Sequence, residues 1–393
     1  MSKRTLKDLE VNGKKVIVRV DFNVPIVDGV ITDDNRVVEA IPTIKYLLDN
    51  GAAVILMSHL GRPDGQVVAK YSLKPVAKKL GELMGMNIIM SDDVVGSDAE
   101  FKAQNLKAGE VLLLENLRFD AREEENDEEF AKKLASFADI YVNDAFGTAH
   151  RKHASTYGVA KYLPNAVGFL IQKELDMIVG TINNPQRPFV AILGGAKVAD
   201  KINIIDTLLN SCDTLIVGGG MAYTFLKAMG HNIGTSLLDE SKIDDALRMM
   251  KKAEEKGVKF LLPLDFVTTP EFDNVTDIVR TEGRDIMDGY MGMDIGQKTI
   301  DLFVNEIKNA KTVVWNGPLG VFEKPEFATG TYEVAKAVTE VNGTTIIGGG
   351  DSASAIINMG LQDKITHIST GGGASLKLFE GKVLPAVDVI NEI

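Results

Sequence analysis

The pattern that most limits what this chain can fold into is an alternation of short, continuously apolar runs with longer amphipathic stretches. In the first half the runs fall at 15–20, 53–57, 87–90, 111–114 and 140–142. Runs apolar at every position suit strands covered on both faces, as in a parallel sheet. Between them lie stretches with helical spacing, such as 35–48 and 73–84. The second half repeats the architecture, with candidate strands at 189–193, 214–217, 259–262, 312–315, 344–347 and 366–369. Strand, crossing helix and parallel strand in repetition predict an α/β fold. At 393 residues one core is too few, so two doubly wound parallel-sheet (Rossmann-like) domains are expected. Their junction is placed at 166–181, an amphipathic helix with Leu170, Ile171, Leu175 and Ile178 on one face, ahead of the breakers Asn183, Asn184 and Pro185. A helix between two lobes serves as a hinge.

Composition excludes several functions. A net charge of -12 argues against a general nucleic-acid binder, because counterion release needs a basic surface. The single cysteine, Cys212, rules out a disulfide framework within the chain and reads as a buried small hydrophobe. The opening MSKRTLKDLE has no apolar core of a secretory signal. Glycine aside, the longest apolar run, 52–57, is far short of the roughly 18 to 20 residues a membrane span requires. A cytoplasmic protein is expected, with no membrane partner.

In doubly wound sheets ligands bind beyond the carboxyl ends of the strands. In the first half the residues there are Asp21 and Asn23, His59 and Arg62, Arg118, then Asn143, Asp144 and Arg151, with Arg36 opening the first helix. Each arginine alone reads as a surface ion pair. Four of them at one sheet edge of an acidic protein describe an anion site, since guanidinium matches phosphate and carboxylate bidentately. His59 is read as a hydrogen-bond donor to that anion, and His150 and His153 as structural; none has metal-ligand spacing. The acidic run 123–129 precedes a helix near Phe130 and reads as a solvated helix start.

In the second half the strands run into glycines: 194–195, 218–220, 317 and 320, 348–350 and 371–373. Together they describe a bare backbone edge that a base and a chain of phosphates can approach. The stretch 346–355, IIGGGDSASA, is a strand, a turn and a helix start, where free N–H groups favour phosphate and Asp351 is placed to hold Mg²⁺. Its glycines also fit a tight connection or a dinucleotide turn, although the acid a dinucleotide site wants about 20 residues on is absent. Lys197 and Lys201 are read as one turn apart on a helix, contacting phosphate. No Walker A motif is present, since Gln297 and Met291 break the candidate at 296–299, and protein-kinase signatures are missing.

These residues fall in longer motifs: VRVDFNVP at 18–25, SHLGRP at 58–63, LENLRF at 114–119, DAFGTAHRKHAS at 144–155, ILGGAKVADKI at 192–202, WNGPLGVFE at 315–323, GGGDSASA at 348–355 and STGGGAS at 369–375. In this order, across the whole chain, they resemble phosphoglycerate kinase. The resemblance implies reversible exchange of 1,3-bisphosphoglycerate and ADP with 3-phosphoglycerate and ATP, using Mg²⁺. It implies an acid site at Asp21, Phe22, Asn23, Arg36, His59, Leu60, Gly61, Arg62, Arg118 and Arg151. The nucleotide site falls at Lys201, Gly292, Glu323, Gly349, Gly350, Asp351 and Ser352, with Asp351 on the metal. Lys197, Arg36, Gly372 and Gly373 match the groups that steady the migrating phosphoryl. Domains are then expected at 1–170, for the acid, and 171–378, for the nucleotide. The apolar tail 379–393 is expected to return to the first. Lys152 stands where a small residue is expected. The resemblance further implies a monomer acting on small molecules, and lobes that close before transfer. An ionised carboxylate needs no general base, which fits the absence of one. Two other classes stay in view: a non-catalytic binder of a nucleotide or phosphorylated acid, and an NAD-dependent dehydrogenase.

Overall fold

The computed structural model describes residues 3–392, so Ile393 of the tail lies outside it. The chain divides into two compact units, one running to Leu175 and resuming at Val383, the other Asp176–Lys382. These limits fall a few residues beyond the 170/171 and 378/379 limits read from sequence.

The first unit is built on a six-stranded parallel sheet. Its strands are β1 (Lys15–Arg19), β2 (Ala53–Met57), β3 (Ile88–Met90), β4 (Val111–Leu113), β5 (Ile140–Asn143) and β6 (Asn165–Val167), in the order β3-β4-β2-β1-β5-β6. Val18 pairs with Leu56 on one side and Val142 on the other. One face packs Val16, Val18, Val54, Leu56, Val111 and Val142 against Val37, Ile44 and Leu47 of helix Asn35–Asp49 and Val76 and Leu80 of helix Lys74–Met84.

Three sequence expectations are corrected here. Strand β1 is not apolar throughout: it ends in Arg19, which is 1% exposed. The stretch 166–181 is not one helix, because its first residues pair with β5 as the edge strand β6. The helix starts at Phe169, where the buried Asp144 carboxylate accepts the N–H groups of Leu170 and Ile171, and α-helix gives way to a π-helical turn at Asp176–Gly180. Backbone pairing overrides the helical spacing of the side chains. The acidic run is not wholly solvated either. Helix Glu128–Ala135 opens on exposed acids, but Glu123 is fully buried and accepts from the Ser155 amide and hydroxyl.

The residues from Val383 are tied to this unit. The Arg4 amide donates to the Asn391 carbonyl, the Asn391 amide to Asn165 Oδ1, and the Ala386 amide to the Ala149 carbonyl.

The second unit holds β7 (Phe189–Leu193), β8 (Thr214–Val217), β9 (Lys259–Leu261), β10 (Phe266–Thr269), β11 (Val279–Arg280), β12 (Met291–Ile295), β13 (Thr312–Asn316), β14 (Thr344–Gly348) and β15 (His367–Ile368). Six of these form a parallel sheet in the order β9-β8-β7-β13-β14-β15. Val190, Ile192, Val313, Trp315 and Ile347 pack against Ile300, Phe303 and Ile307 of helix Gln297–Lys308 and Val334 and Val338 of helix Thr329–Thr339. The other three strands make an antiparallel sheet, β11-β10-β12, that the sequence reading did not find. Among the described residues no helix is long and apolar enough to cross a membrane.

Candidate active site

In each parallel sheet the strand order reverses beside the unit's first strand, between β1 and β5 and between β7 and β13. A crevice opens at the carboxyl ends of such strands.

At the first reversal Asp21 follows β1 and His59 follows β2. The Arg36 Nη1 donates at 3.1 Å to both Asp21 carboxylate oxygens and at 3.2 Å to the Asn23 carbonyl. Asp21 therefore aims a guanidinium that remains about one-third exposed. Asn23 Oδ1 accepts the Gly61 amide at 2.9 Å, and the Gly61 carbonyl accepts Arg118 Nη1 at 2.9 Å. Phe22 and Leu60 contribute through position: both are buried, the Phe22 amide donating to Ser58 Oγ and the Leu60 amide to Asn116 Oδ1.

Arg118 is 4% exposed, and its Nε and Nη2 have no hydrogen-bond acceptor. The Glu124 carboxylate stands 3.5 Å from Nε, itself half exposed. Burying guanidinium nitrogens without acceptors costs roughly 1–3 kcal/mol, a cost that an arriving anion would relieve. Burial and the charges of Arg19, Arg118, Arg36 and Arg151 hold His59 well below the usual imidazole range. Burial and the same cluster, without Arg36, push His153 down to about 4. His153, read as structural from sequence, is thus drawn against the cations, and so is Arg19, which sequence reasoning passed over as part of a strand.

The structure does not gather every expected residue. Arg62 is exposed. Asn143 and Asp144 serve the fold: Asn143 Oδ1 accepts the Ala145 amide, and Asp144 caps the helix at Phe169. Lys152 places its ammonium 5.4 Å from the Tyr157 ring centre. A separate hollow of about 650 Å³ in this unit contains none of the arginines and sets the carboxylates of Asp92, Asp93, Glu115 and Asp120 against Lys74 alone, the wrong balance for an anion.

At the second reversal the glycine turns meet one another. The Gly194 amide donates to the Asn316 carbonyl at 2.9 Å, the Gly195 amide to Pro318 at 3.0 Å and the Met221 amide to Gly195 at 3.0 Å. A Cβ on Gly194 would overlap the Pro318 carbonyl, and one on Gly317 the Gly194 carbonyl. The edge is therefore not uniformly bare, since several glycines are spent on backbone packed against backbone. Gly350 and Gly372, both exposed at helix starts, have open space where a side chain would go.

Beside these turns lies a cavity of about 670 Å³. Gly195, Gly219 and Gly220 line it together with Leu237, Phe272, Met291 and Gly292, and its charged groups are Glu323, Lys324 and Asp351. Gly292 comes from the unforeseen antiparallel sheet, and a Cβ there would overlap the Tyr223 hydroxyl. The only signal for that sheet was β-branched FVTT at 266–269, too short and polar to stand out. Asp351 is exposed in the first turn of helix Gly350–Asn358. Ser352 is buried, and its hydroxyl is taken by the Gly317 amide at 2.7 Å.

The two lysines do not share a helix. Helix Ile202–Leu208 begins only after Lys201, and 197–201 is a turn closed by the Lys201 amide on the Val198 carbonyl. Lys197 is exposed and lines a neighbouring hollow of about 560 Å³ that shares Ala196 and Leu237 with the first. Lys201 Nζ donates to Asn316 Oδ1, and burial, only partly offset by Asp200 and Asp351, lowers its pKa to about 8. Cys212 is buried and its thiol pushed up to about 12, so it is an inert hydrophobe.

Two doubly wound sheets, one edged with a buried guanidinium short of acceptors and the other with a glycine-walled cavity, fit the phosphotransferase class. The comparisons narrow it. The family model described as phosphoglycerate kinase matches residues 6–382. A curated phosphoglycerate kinase of Clostridium tetani is 56% identical, covering 100% of this chain and 98% of its own. That of Finegoldia magna is 54% identical, with 100% of both covered. Solved phosphoglycerate kinase structures from Coxiella burnetii and Pyrococcus horikoshii superpose with TM-scores of 0.90 and 0.81 at 38% and 34% identity, each covering 98% of both chains. The chain belongs to the phosphoglycerate kinase family, and it is a glycolytic phosphotransferase.

Proposed function

We propose that the chain moves a phosphoryl group reversibly between 1,3-bisphosphoglycerate and ADP, giving 3-phosphoglycerate and ATP. The first unit would take the acid and the second the nucleotide. The observation that carries this reading is Arg118: a guanidinium nearly cut off from water keeps two nitrogens without acceptors in a protein of net charge -12. With Arg36, Arg151, His59, Asn23 and the more exposed Arg62, it would bind the phosphate and carboxylate of the acid.

In the ATP-forming direction a β-phosphate oxygen of ADP attacks the acyl phosphorus. The bond to the carboxylate oxygen breaks, and 3-phosphoglycerate leaves as a carboxylate. No proton moves, so positioning and charge neutralisation carry the rate. Lys197, Arg36 and the amides of Gly372 and Gly373 would spread over the transferred oxygens after closure of the lobes. Lys201, Gly292, Glu323, Gly349, Gly350 and Ser352 would frame the nucleotide.

Among the described residues no group of three or more histidine, cysteine or carboxylate side chains could hold a metal by itself. Mg²⁺ at nucleotide phosphates usually needs only one or two protein carboxylates, and the exposed Asp351 at the cavity fits that role. Bound there, the ion would neutralise phosphate charge. We further infer a cytoplasmic monomer.

The test is 3-phosphoglycerate-dependent ADP formation from ATP, in wild type and Lys197→Ala. Turnover is expected in the first, with kcat lower by roughly 10²–10³-fold in the second and both KM values little changed. Tight binding of both ligands without turnover would leave a binding protein and sink the proposal. Near-normal turnover in Lys197→Ala would remove Lys197 from its role.

A further inference from the structure

Arg19 is the arginine at the first sheet reversal that the proposed function leaves unused. Its Nε donates to Ser155 Oγ at 2.8 Å, its Nη1 to the Val20 carbonyl, and its Nη2 lies 3.2 Å from His59 Nδ1. A guanidinium stays protonated in proteins and has no acceptor to offer. The contact with His59 is therefore a hydrogen bond only if Nδ1 is bare. A neutral imidazole with a bare Nδ1 carries its proton on Nε2. The groups facing the ring agree, since burial and the charges of Arg19, Arg118, Arg36 and Arg151 all disfavour an imidazolium. Arg19 is itself held in place: Ser155 Oγ, which accepts from it, donates to Glu123 at 2.7 Å inside the fold.

We propose that Arg19 is a positioning residue that fixes His59 as its neutral Nε2–H tautomer, so the ring offers the acid ligand an uncharged donor. Positive charge in this pocket then comes from guanidinium groups alone, and His59 contributes the same hydrogen bond across the pH range in which free histidine titrates. The consequence for ligand binding rests on the acid-site reading above; the tautomer itself does not.

The decisive measurement is nitrogen NMR of the His59 ring in the full, ligand-free chain. A single Nε2–H tautomer is expected, with no protonation between about pH 6 and 8. An Nδ1–H ring, or an imidazolium at neutral pH, overturns the inference. In Arg19→Met/Glu123→Met the donor and the buried carboxylate leave together, which spares the fold an unpaired charge. The tautomers should then mix, and 3-phosphoglycerate affinity by calorimetry should fall roughly tenfold while ATP affinity is kept. A pure Nε2–H ring in that variant would reduce Arg19 to packing and overturn the inference. Arg19→Lys, whose ammonium also only donates, should keep the tautomer. If the double variant does not fold, the wild-type ring and Arg19→Lys still decide. Should 3-phosphoglycerate leave the Nε2–H signal unmoved while the tautomer holds, the substrate reading fails and the tautomer lock stands.

Discussion

On the proposed reading both sheet edges would hold phosphate in an acidic protein, and they are built from opposite materials. In the first unit the groups are long side chains: Arg36 aimed by Asp21, Arg118 hung from the Gly61 carbonyl, and His59 braced by Arg19. In the second they are backbone turns, brought so close that Gly194 and Gly317 leave no room for a methyl group. Side chains carry charge to a ligand but must be desolvated and steered, and burial beside the arginines holds His59 and His153 below the usual imidazole range. Turns need no steering, yet each is braced on the next. Damage to the first edge should therefore appear in binding, and damage to the second in folding.

The sharpest way to break this contrast is Gly194→Ala. Its Cβ would meet backbone, which cannot swing aside, so a loss of about 3 kcal/mol or more is expected in urea denaturation. Gly350→Ala, with open space at the same edge, should stay within about 0.5 kcal/mol. Equal losses would mean that interlocked and free glycines are not distinct. Next in size is Arg118→Met. Losing charge-assisted bonds to the ligand should weaken 3-phosphoglycerate binding by about 1.5–3 kcal/mol. Stability should change by less than about 1 kcal/mol, because losing the Nη1 hydrogen bond to the Gly61 carbonyl is offset by removing a buried charge whose Nε and Nη2 lack acceptors. A large fall in stability would make Arg118 a structural cation.

The smallest effect tests where the second edge borrows a side chain. With Lys201 lowered to about 8 from an ordinary 10.5, the unfolded chain holds this proton more firmly between those values. The buried charge thus costs stability below about pH 8, and that cost is withdrawn as pH rises toward 10.5. ADP affinity should move the other way, falling above about pH 8 by at most tenfold per unit as the charge is lost. Calorimetry across this range checks it, and Lys201→Arg should flatten the profile. A flat wild-type profile would take Lys201 away from the phosphates.

Much of the fold was legible because strands buried on both faces declare themselves position by position. Strand β6 was hidden because its residues also fit a helical stripe, and only pairing with β5 decides between the two. The antiparallel sheet was hidden by its short, polar strands, and with it the reason Gly292 reaches the cavity. Arg19 and Glu123 were misread for one reason. A charged residue in a strand or at a helix approach is normally solvated, and nothing local says that Ser155, more than 30 residues from either, joins them inside the fold. Lys197 and Lys201 were placed on a helix by their spacing, whereas the turn at 197–201 delays the helix to Ile202.

By itself the sequence determined two doubly wound sheets and which residues follow their strands, since burial and turn chemistry are written in neighbouring residues. Only the tertiary structure decided which buried guanidinium is short of acceptors, which glycines are already spent against other turns, and which nitrogen of His59 faces Arg19. Those properties belong to pairs of groups far apart along the chain, and a local pattern has no way to encode a partner it does not contain.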